Sequence, residues 1–316
     1  MLEKQNLLGL TQSKFKDFFS DLNEKPYRTK QIMQWIYHQG INDFDDMHNF
    51  SKDLRQKLNA IASIELPEVI SMSNSRDGVI KWIIKLGEEN NIETVYIPQK
   101  DRGTLCISSQ VGCSLACTFC STGYQGFNRN LATHEIIGQV LIAQNHLSED
   151  NKRISNVVFM GMGEPLLNES PVYDACEIFL DDWAFGLSRR RVTVSSSGIV
   201  PALIRMSDKV PVSLAISLHA PNDELRDNIV PINKKYPLKD LIKACQDYPR
   251  SKNSKRITFE YVMLKDVNDS ISDAKKLVKM IAGIPAKINL IPFNPWPGSP
   301  YECSNPEQIK KFSDIV

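Results

Sequence analysis

From residue 104 onward the sequence repeats one pattern: a short apolar, β-branched run, a polar loop, then an amphipathic stretch of helical period. Strands are expected over residues 104–109, 154–163, 191–198, 212–220, 257–264 and 288–293. Helices are expected over 131–146, 171–180, 200–207, 238–247 and 271–281. Strands that alternate with helices pair in parallel, because a helical crossover is the short way to bring the chain back. The fold class expected is therefore α/β, with a parallel sheet that is open or rolled into a partial barrel. Such sheets carry their chemistry at the C-terminal ends of the strands, so the loops there are the place to search.

The chain before this repeat reads differently. Ser13 is expected to cap a helix whose apolar face runs through Phe15, Phe18, Phe19 and Leu22. A second stripe passes through Ile32, Trp35 and Ile36, and Ser51 starts a third with Leu54, Leu58 and Ile61. VIKWIIKL and ETVYIP, separated by the polar GEENN, read as a hairpin. The division expected is a helical accessory unit over 1–68, a β-hairpin extension over 69–98 and an α/β core over 99–316.

Composition removes several classes. Lys and Arg number 38 against 37 Asp and Glu, 42% of residues are hydrophobic and 24% charged, as in an ordinary globular protein. No apolar run is long enough to span a bilayer, and MLEKQNLLGL lacks the form of a secretory leader, so a cytoplasmic protein is expected. In that compartment seven cysteines are expected as thiols or metal ligands. Local charge is less even: residues 188–256 hold 14 Lys/Arg and 6 Asp/Glu, net +8. Such a stretch suits a phosphate backbone, with Arg189, Arg190 and Arg191 as candidate contacts, and equally suits solvated helix faces.

The most specific stretch is Gly112-Cys113-Ser-Leu-Ala-Cys117-Thr-Phe-Cys120, three cysteines spaced C-x3-C-x2-C just after an expected strand. Thiolates suit zinc or an iron–sulfur cluster. A closed zinc site takes four ligands, and no fourth Cys or His stands at finger spacing; His134 is the nearest His. Three ligands on a four-iron cluster leave one iron open to a substrate or cofactor.

C-x3-C-x2-C is the signature of radical S-adenosylmethionine (SAM) enzymes. The flanking Thr104-Leu-Cys106-Ile-Ser-Ser-Gln-Val-Gly-Cys113 and Cys120-Ser-Thr-Gly-Tyr-Gln-Gly-Phe-Asn-Arg-Asn130 resemble the RlmN/Cfr family of radical SAM methyltransferases. So do Phe159-Met-Gly-Met-Gly-Glu-Pro165, Val192-Thr-Val-Ser195, Ser217-Leu-His219, Asn289-Leu-Ile-Pro-Phe-Asn294 and the N-terminal PYRTKQIMQWIYHQG. The resemblance runs in order through nearly the whole chain. It implies a partial (β/α)6 radical SAM barrel with an N-terminal helical domain that docks RNA. It also implies an enzyme that methylates C2 of a specific adenine in 23S rRNA and in tRNA. C2 of adenine is electron-poor and cannot attack the sulfonium of SAM, so a radical route is needed and a cofactor supplies it.

By the same resemblance Cys113, Cys117 and Cys120 hold a [4Fe-4S] cluster, whose open iron takes the amino and carboxylate groups of SAM, with two SAM used per turnover. SAM contacts are implied at Gly163, Glu164, Ser195, Ser217, Leu218, His219 and Asn294. Cys106 would resolve a covalent RNA–protein intermediate, which asks for a lowered thiol pKa or a nearby base, and Glu93 would be the proton acceptor. Read without the resemblance, Cys106 is a small buried hydrophobe and Glu93 an exposed strand residue. Cys176, Cys245 and Cys303 receive no role. The partners implied are 23S rRNA, tRNA and an electron donor such as a flavodoxin system, with no membrane and a monomeric enzyme. RNA should present its base single-stranded or looped out.

The family also uses a methyl-carrying cysteine in a C-terminal tail, and no counterpart stands before Val316. The chain as written is therefore expected to bind cluster and SAM without completing methyl transfer. Two alternatives remain from the residues: a C8-specific resistance methyltransferase of the same family, and a non-enzymatic RNA-binding protein with structural zinc.

Overall fold

The structure is a computed structural model and describes residues 4–248 and 256–316. In chain order its elements are β1 (Gln5–Asn6), α1 (Gln12–Asp21), α2 (Tyr27–Met33), α3 (Lys52–Ile61), β2 (Ala62–Ser63), β3 (Glu68–Asn74), β4 (Ile80–Lys85), β5 (Asn91–Gln99), β6 (Arg102–Cys106) and β7 (Gln110–Gly112). There follow α4 (Ser121–Tyr124), β8 (Phe127–Asn130), α5 (Thr133–Glu149), β9 (Asn156–Phe159), α6 (Glu169–Leu180), β10 (Val192–Ser196), α7 (Val200–Lys209), β11 (Ser213–Ser217) and α8 (Asp223–Ile229). The last are α9 (Leu238–Asp247), β12 (Ile257–Met263), α10 (Ile271–Met280), β13 (Ala286–Pro292) and α11 (Pro306–Ser313). The α/β class with a helical N-terminal region, expected from the sequence, is what the structure shows.

The chain forms two compact units. The first comprises residues up to Ser109 together with Asn130–Gly161 and Ser170–Val192. Its helices assemble through aromatic packing, because Phe15 and Phe19 recur on the face that α1 buries and Phe19 meets Phe50 edge to face at 6.4 Å. Thr11, rather than Ser13, caps α1: its Oγ1 accepts the Lys14 amide at 3.4 Å, and Ser13 lies exposed inside the first turn. Both residues are good caps, so propensity did not choose between them. Ser51 caps α3 as expected, accepting from the Leu54 amide. Helix α2 runs on into a π turn over Gln34–His38.

The hairpin is present, with β4 antiparallel to β5, and it belongs to a larger antiparallel ribbon. Strand β3 pairs with β4 on the outer side, and β5 pairs with β6. Every residue of β3 is exposed, Val69, Ile70 and Met72 included, so its short apolar alternation marks no buried face. Strand β4 alternates buried and half-buried residues, with Trp82 and Ile84 inside. Strand β6 then pairs in parallel with β9.

The second unit comprises Gln110–Arg129, Met162–Glu169 and Thr193–Val316. Strands β10, β11, β12 and β13 lie side by side in that order, all parallel. The middle strands are almost continuously buried, as strands covered on both faces are, and they read as largely apolar runs interrupted by Thr258 and Glu260 in β12. An apolar cluster joins Ala220, Ile229, Val230, Leu264 and Phe293 to Val262 near the end of β12, with Cys117 and Phe119 packed against it. Among the described residues no helix is long and apolar enough to cross a membrane.

Candidate active site

The cysteine loop is tied at its base by glycine. Strands β7 and β8 bracket it, and the Cys113 amide donates to the Gly126 carbonyl at 2.8 Å. A Cβ on Gly112, whose φ is +72°, would lie 1.8 Å from that carbonyl oxygen, so only glycine closes the loop there. Within the loop the Cys120 amide donates to the Cys117 carbonyl and α4 begins immediately after. The far side is docked on α8, where the Thr118 amide donates to the Ile229 carbonyl at 3.1 Å.

Cys113, Cys117 and Cys120 are all half-buried free thiols. Burial raises the Cys113 thiol to about 11, with Glu164 and Cys120 adding repulsion. Cys117 is pushed up to about 12, first by burial and then by the charges of Cys120, Cys113 and Glu164, against the pull of Arg226. Three thiols within electrostatic reach of each other, in a poorly solvated loop, need added positive charge before they can ionise together. Bound metal supplies it. Among the described residues no three His, Cys, Asp or Glu side chains gather at the spacing of a single ion. A zinc site needs thiolates about 3.8 Å apart, given Zn–S bonds of about 2.3 Å in a tetrahedron. A four-iron cluster spreads its ligands over separate irons, and an all-sulfur donor set of three suits it.

Glu164 is 2% exposed, and its environment is built in detail. Its backbone amide donates to Gln110 Oε1 at 2.9 Å. Its carboxylate accepts the Leu166 amide (3.2 Å) and the Ser197 amide (2.8 Å). Burial raises its pKa all the same, outweighing these hydrogen bonds. Gly163 has φ +96°, and a Cβ there would come within 2.5 Å of the Gln110 side chain. Glycine is required there by the left-handed backbone and by the close approach of Gln110.

Ser195 and Ser217 stand on the same face of adjacent strands, with their hydroxyls 3.5 Å apart. Leu218 and His219 follow at the end of β11. His219 adopts φ +61°, and its Nδ1 accepts the Val262 amide at 3.1 Å. The ring is therefore neutral, and burial followed by repulsion from Arg226 lowers its pKa to about 3. Its carbonyl accepts from Asn268 Nδ2, and its ring meets Phe119 edge to face at 4.7 Å. The side chain is a structural tie for the strand end. Asn294 does not end a strand: β13 stops at Pro292, and Asn294 is exposed in the loop beyond. The turn comes earlier because Pro292 has no amide to continue the ladder and Pro295 follows.

Glu93 and Cys106 belong to the first unit. Cys106 pairs across from Val95, so Glu93 is its diagonal neighbour on one sheet face. The resemblance asks for a lowered thiol pKa or a nearby base. Burial pushes Cys106 up to about 12, opposed only by a hydrogen bond from the Met160 backbone. Glu93 is half exposed and pairs with Lys81 at 3.1 Å.

Reading the sequence missed Gln110, Thr118, Ser197, Arg226 and Asn268, which hold these loops in place. Gln110 and Thr118 stand inside the quoted motifs without a role assigned to them, and Ser197, Arg226 and Asn268 are ordinary polar residues whose contacts only the fold reveals. The basic stretch is also not one surface. Arg226 is wholly buried, Arg191 donates to Asn156, Arg205 pairs with Glu169 and Lys243 with Asp247, while residues 249–255 lie outside the described residues.

Parallel strands whose ends converge on a glycine-closed C-x3-C-x2-C loop define a radical SAM enzyme. Residues 107–279 match the radical SAM superfamily model, and residues 5–64 match the ribosomal RNA large subunit methyltransferase N-terminal domain. The chain is 62% identical, over all 316 of its residues and 89% of the relative, to the dual-specificity RNA methyltransferase RlmN of Vesicomyosocius okutanii. It is 60% identical over the same spans to the RlmN of Ruthia magnifica. The crystal structure of a radical SAM methyltransferase from Sphaerobacter thermophilus superposes with a TM-score of 0.92 at 37% identity, covering 98% of this chain and 92% of that one. The chain belongs to the RlmN family of radical SAM methyltransferases, and its cofactors are a [4Fe-4S] cluster and SAM.

Proposed function

We propose that this enzyme methylates C2 of a specific adenine in 23S rRNA and in tRNA. Identity of 62% across the whole chain to a protein named a dual-specificity RNA methyltransferase carries the reading. Bound at the strand ends, the cluster and SAM supply the radical chemistry that an electron-poor aromatic carbon requires.

The chain's own residues then divide the work. Cys113, Cys117 and Cys120 would hold the cluster. The turn at Gly163 would let backbone approach SAM closely, and the buried carboxylate of Glu164, held by the Leu166 and Ser197 amides and by the Ser196 and Ser197 side chains, would face the cofactor's ammonium. Ser195, Ser217, Leu218, His219 and Asn294 offer hydroxyls, backbone groups and an amide to the rest of SAM. His219 takes part through its backbone, since Nδ1 is already engaged. Cys106 resolves the covalent RNA–protein intermediate once its proton is removed. A thiol held near 12 needs a base in reach, and Glu93 on the same sheet face fills that place. Residues 1–68 dock RNA, 69–98 extend the sheet and 99–316 form the catalytic core. The enzyme acts as a cytoplasmic monomer with a flavodoxin-type electron donor.

Joined to a C-terminal segment that bears the family's methyl-carrying cysteine and expressed in cells that lack such an enzyme, the chain should restore 2-methyladenosine to 23S rRNA and tRNA, read by mass spectrometry of nuclease digests. Recovery of 8-methyladenosine instead, or no methylated adenosine, overturns the assignment.

A further inference from the structure

Arg226, on α8, is fully buried, with 0% of its surface exposed. Removing a guanidinium from water is costly and persists only where the group is well satisfied. Here Nε donates to the Leu218 carbonyl (2.9 Å), and Nη2 donates to the carbonyls of Ser197 (2.7 Å) and Ser217 (3.0 Å). Nη1 donates to Asn233 Oδ1 at 2.9 Å. The balancing carboxylates are met through Asn233, whose Nδ2 donates to Asp223 (2.8 Å) and Asp227 (2.6 Å).

The acceptors are instructive. Ser197 is one residue past β10, and its amide holds the Glu164 carboxylate. Ser217 ends β11, and Leu218 leads into the strained His219. One planar fork therefore grips the ends of two neighbouring strands. Helix α8 also docks the cysteine loop, through Thr118 on the Ile229 carbonyl and through Cys117 and Phe119 packed near Ile229 and Val230.

Resting on the cofactor-site reading above, we propose that Arg226 is a positioning residue for SAM. It locks the ends of β10 and β11 and the cysteine loop into one preformed cradle, and its fixed charge beside Cys117 favours the reduced, more negative cluster. Lysine cannot replace the first role, because an ammonium has three donors on a point charge where this site uses a planar fork.

The test uses the anaerobically reconstituted chain with Arg226→Met and Arg226→Lys. Iron content, the SAM dissociation constant and the cluster reduction potential are each measured. Arg226→Met should keep its iron, bind SAM roughly tenfold or more weakly, and show a more negative potential. Arg226→Lys should recover the potential but not the affinity. SAM binding within about twofold of wild type in either variant overturns the proposal. So does a potential that is unchanged in Arg226→Met. If Arg226→Met loses its iron, Arg226→Lys decides by the same affinity criterion. A wild-type chain that holds iron and binds no SAM overturns the cofactor-site reading itself.

Discussion

Phe15, Phe19 and Phe50 hold the N-terminal helices by packing, whereas Glu164, Arg226, His219 and Asn268 hold the strand ends of the second unit by buried polar bonds. The first arrangement depends on volume and tolerates similar shapes. The second depends on every donor finding its acceptor, and losing one partner strands another in a dry interior. The strand ends of the second unit are thus specified by polar complementarity, and the N-terminal helices by apolar surface.

Substitutions sharpen this contrast. Phe19→Ala should have the largest effect on stability, about 3–5 kcal/mol from lost burial and the cavity left behind. The loss should appear in thermal melts, with iron content unchanged. Concurrent loss of iron would show that the two regions are not independently specified.

Glu164→Ala removes the acceptor of two backbone amides, those of Leu166 and Ser197. A cost of about 2–3 kcal/mol is expected in denaturant titration, together with weaker SAM binding. Unchanged SAM binding would make Glu164 a turn-former alone.

The third expectation is a pH dependence from His219. Its pKa falls from 6.5 in the unfolded chain to about 3 when folded, so its contribution to stability is complete above pH 6.5. That contribution is lost as pH drops towards 3. Between pH 6.5 and pH 5 the loss should be on the order of 2 kcal/mol. His219→Asn, which retains an acceptor for the Val262 amide, should flatten this part of the profile. An unchanged profile in the variant would assign the acid sensitivity elsewhere.

The smallest stability effect belongs to Glu93→Gln. An exposed ion pair with Lys81 contributes about 0–1 kcal/mol, so melting should barely change. RNA methylation in the complementation assay should nonetheless be abolished. Normal methylation would remove Glu93 from the chemistry.

The same contrast explains what the sequence disclosed. Periodicity exposes apolar faces, so the α/β class, the N-terminal helices and the central strands were legible. The cysteine spacing was legible because metal ligation demands particular residue types. Strand β3 was not, since it has no buried face, and Ser13 and Thr11 were indistinguishable as caps. Arg226 was the least visible: an arginine in NDELRDNI looks like a solvated helix residue, and only the fold turns it inward. Burial of Cys106 was the plain reading of the residue alone, and the raised thiol pKa follows from it.

The central claim is that Cys113, Cys117 and Cys120 together hold a four-iron cluster. Metal analysis with visible absorbance, on the anaerobically reconstituted chain and on Cys117→Ala, tests it most directly. The wild type should be brown and oxygen-sensitive with about four irons per chain, and the variant should lose both colour and iron. A colourless wild type with one zinc, or a variant that keeps its cluster, would contradict the account.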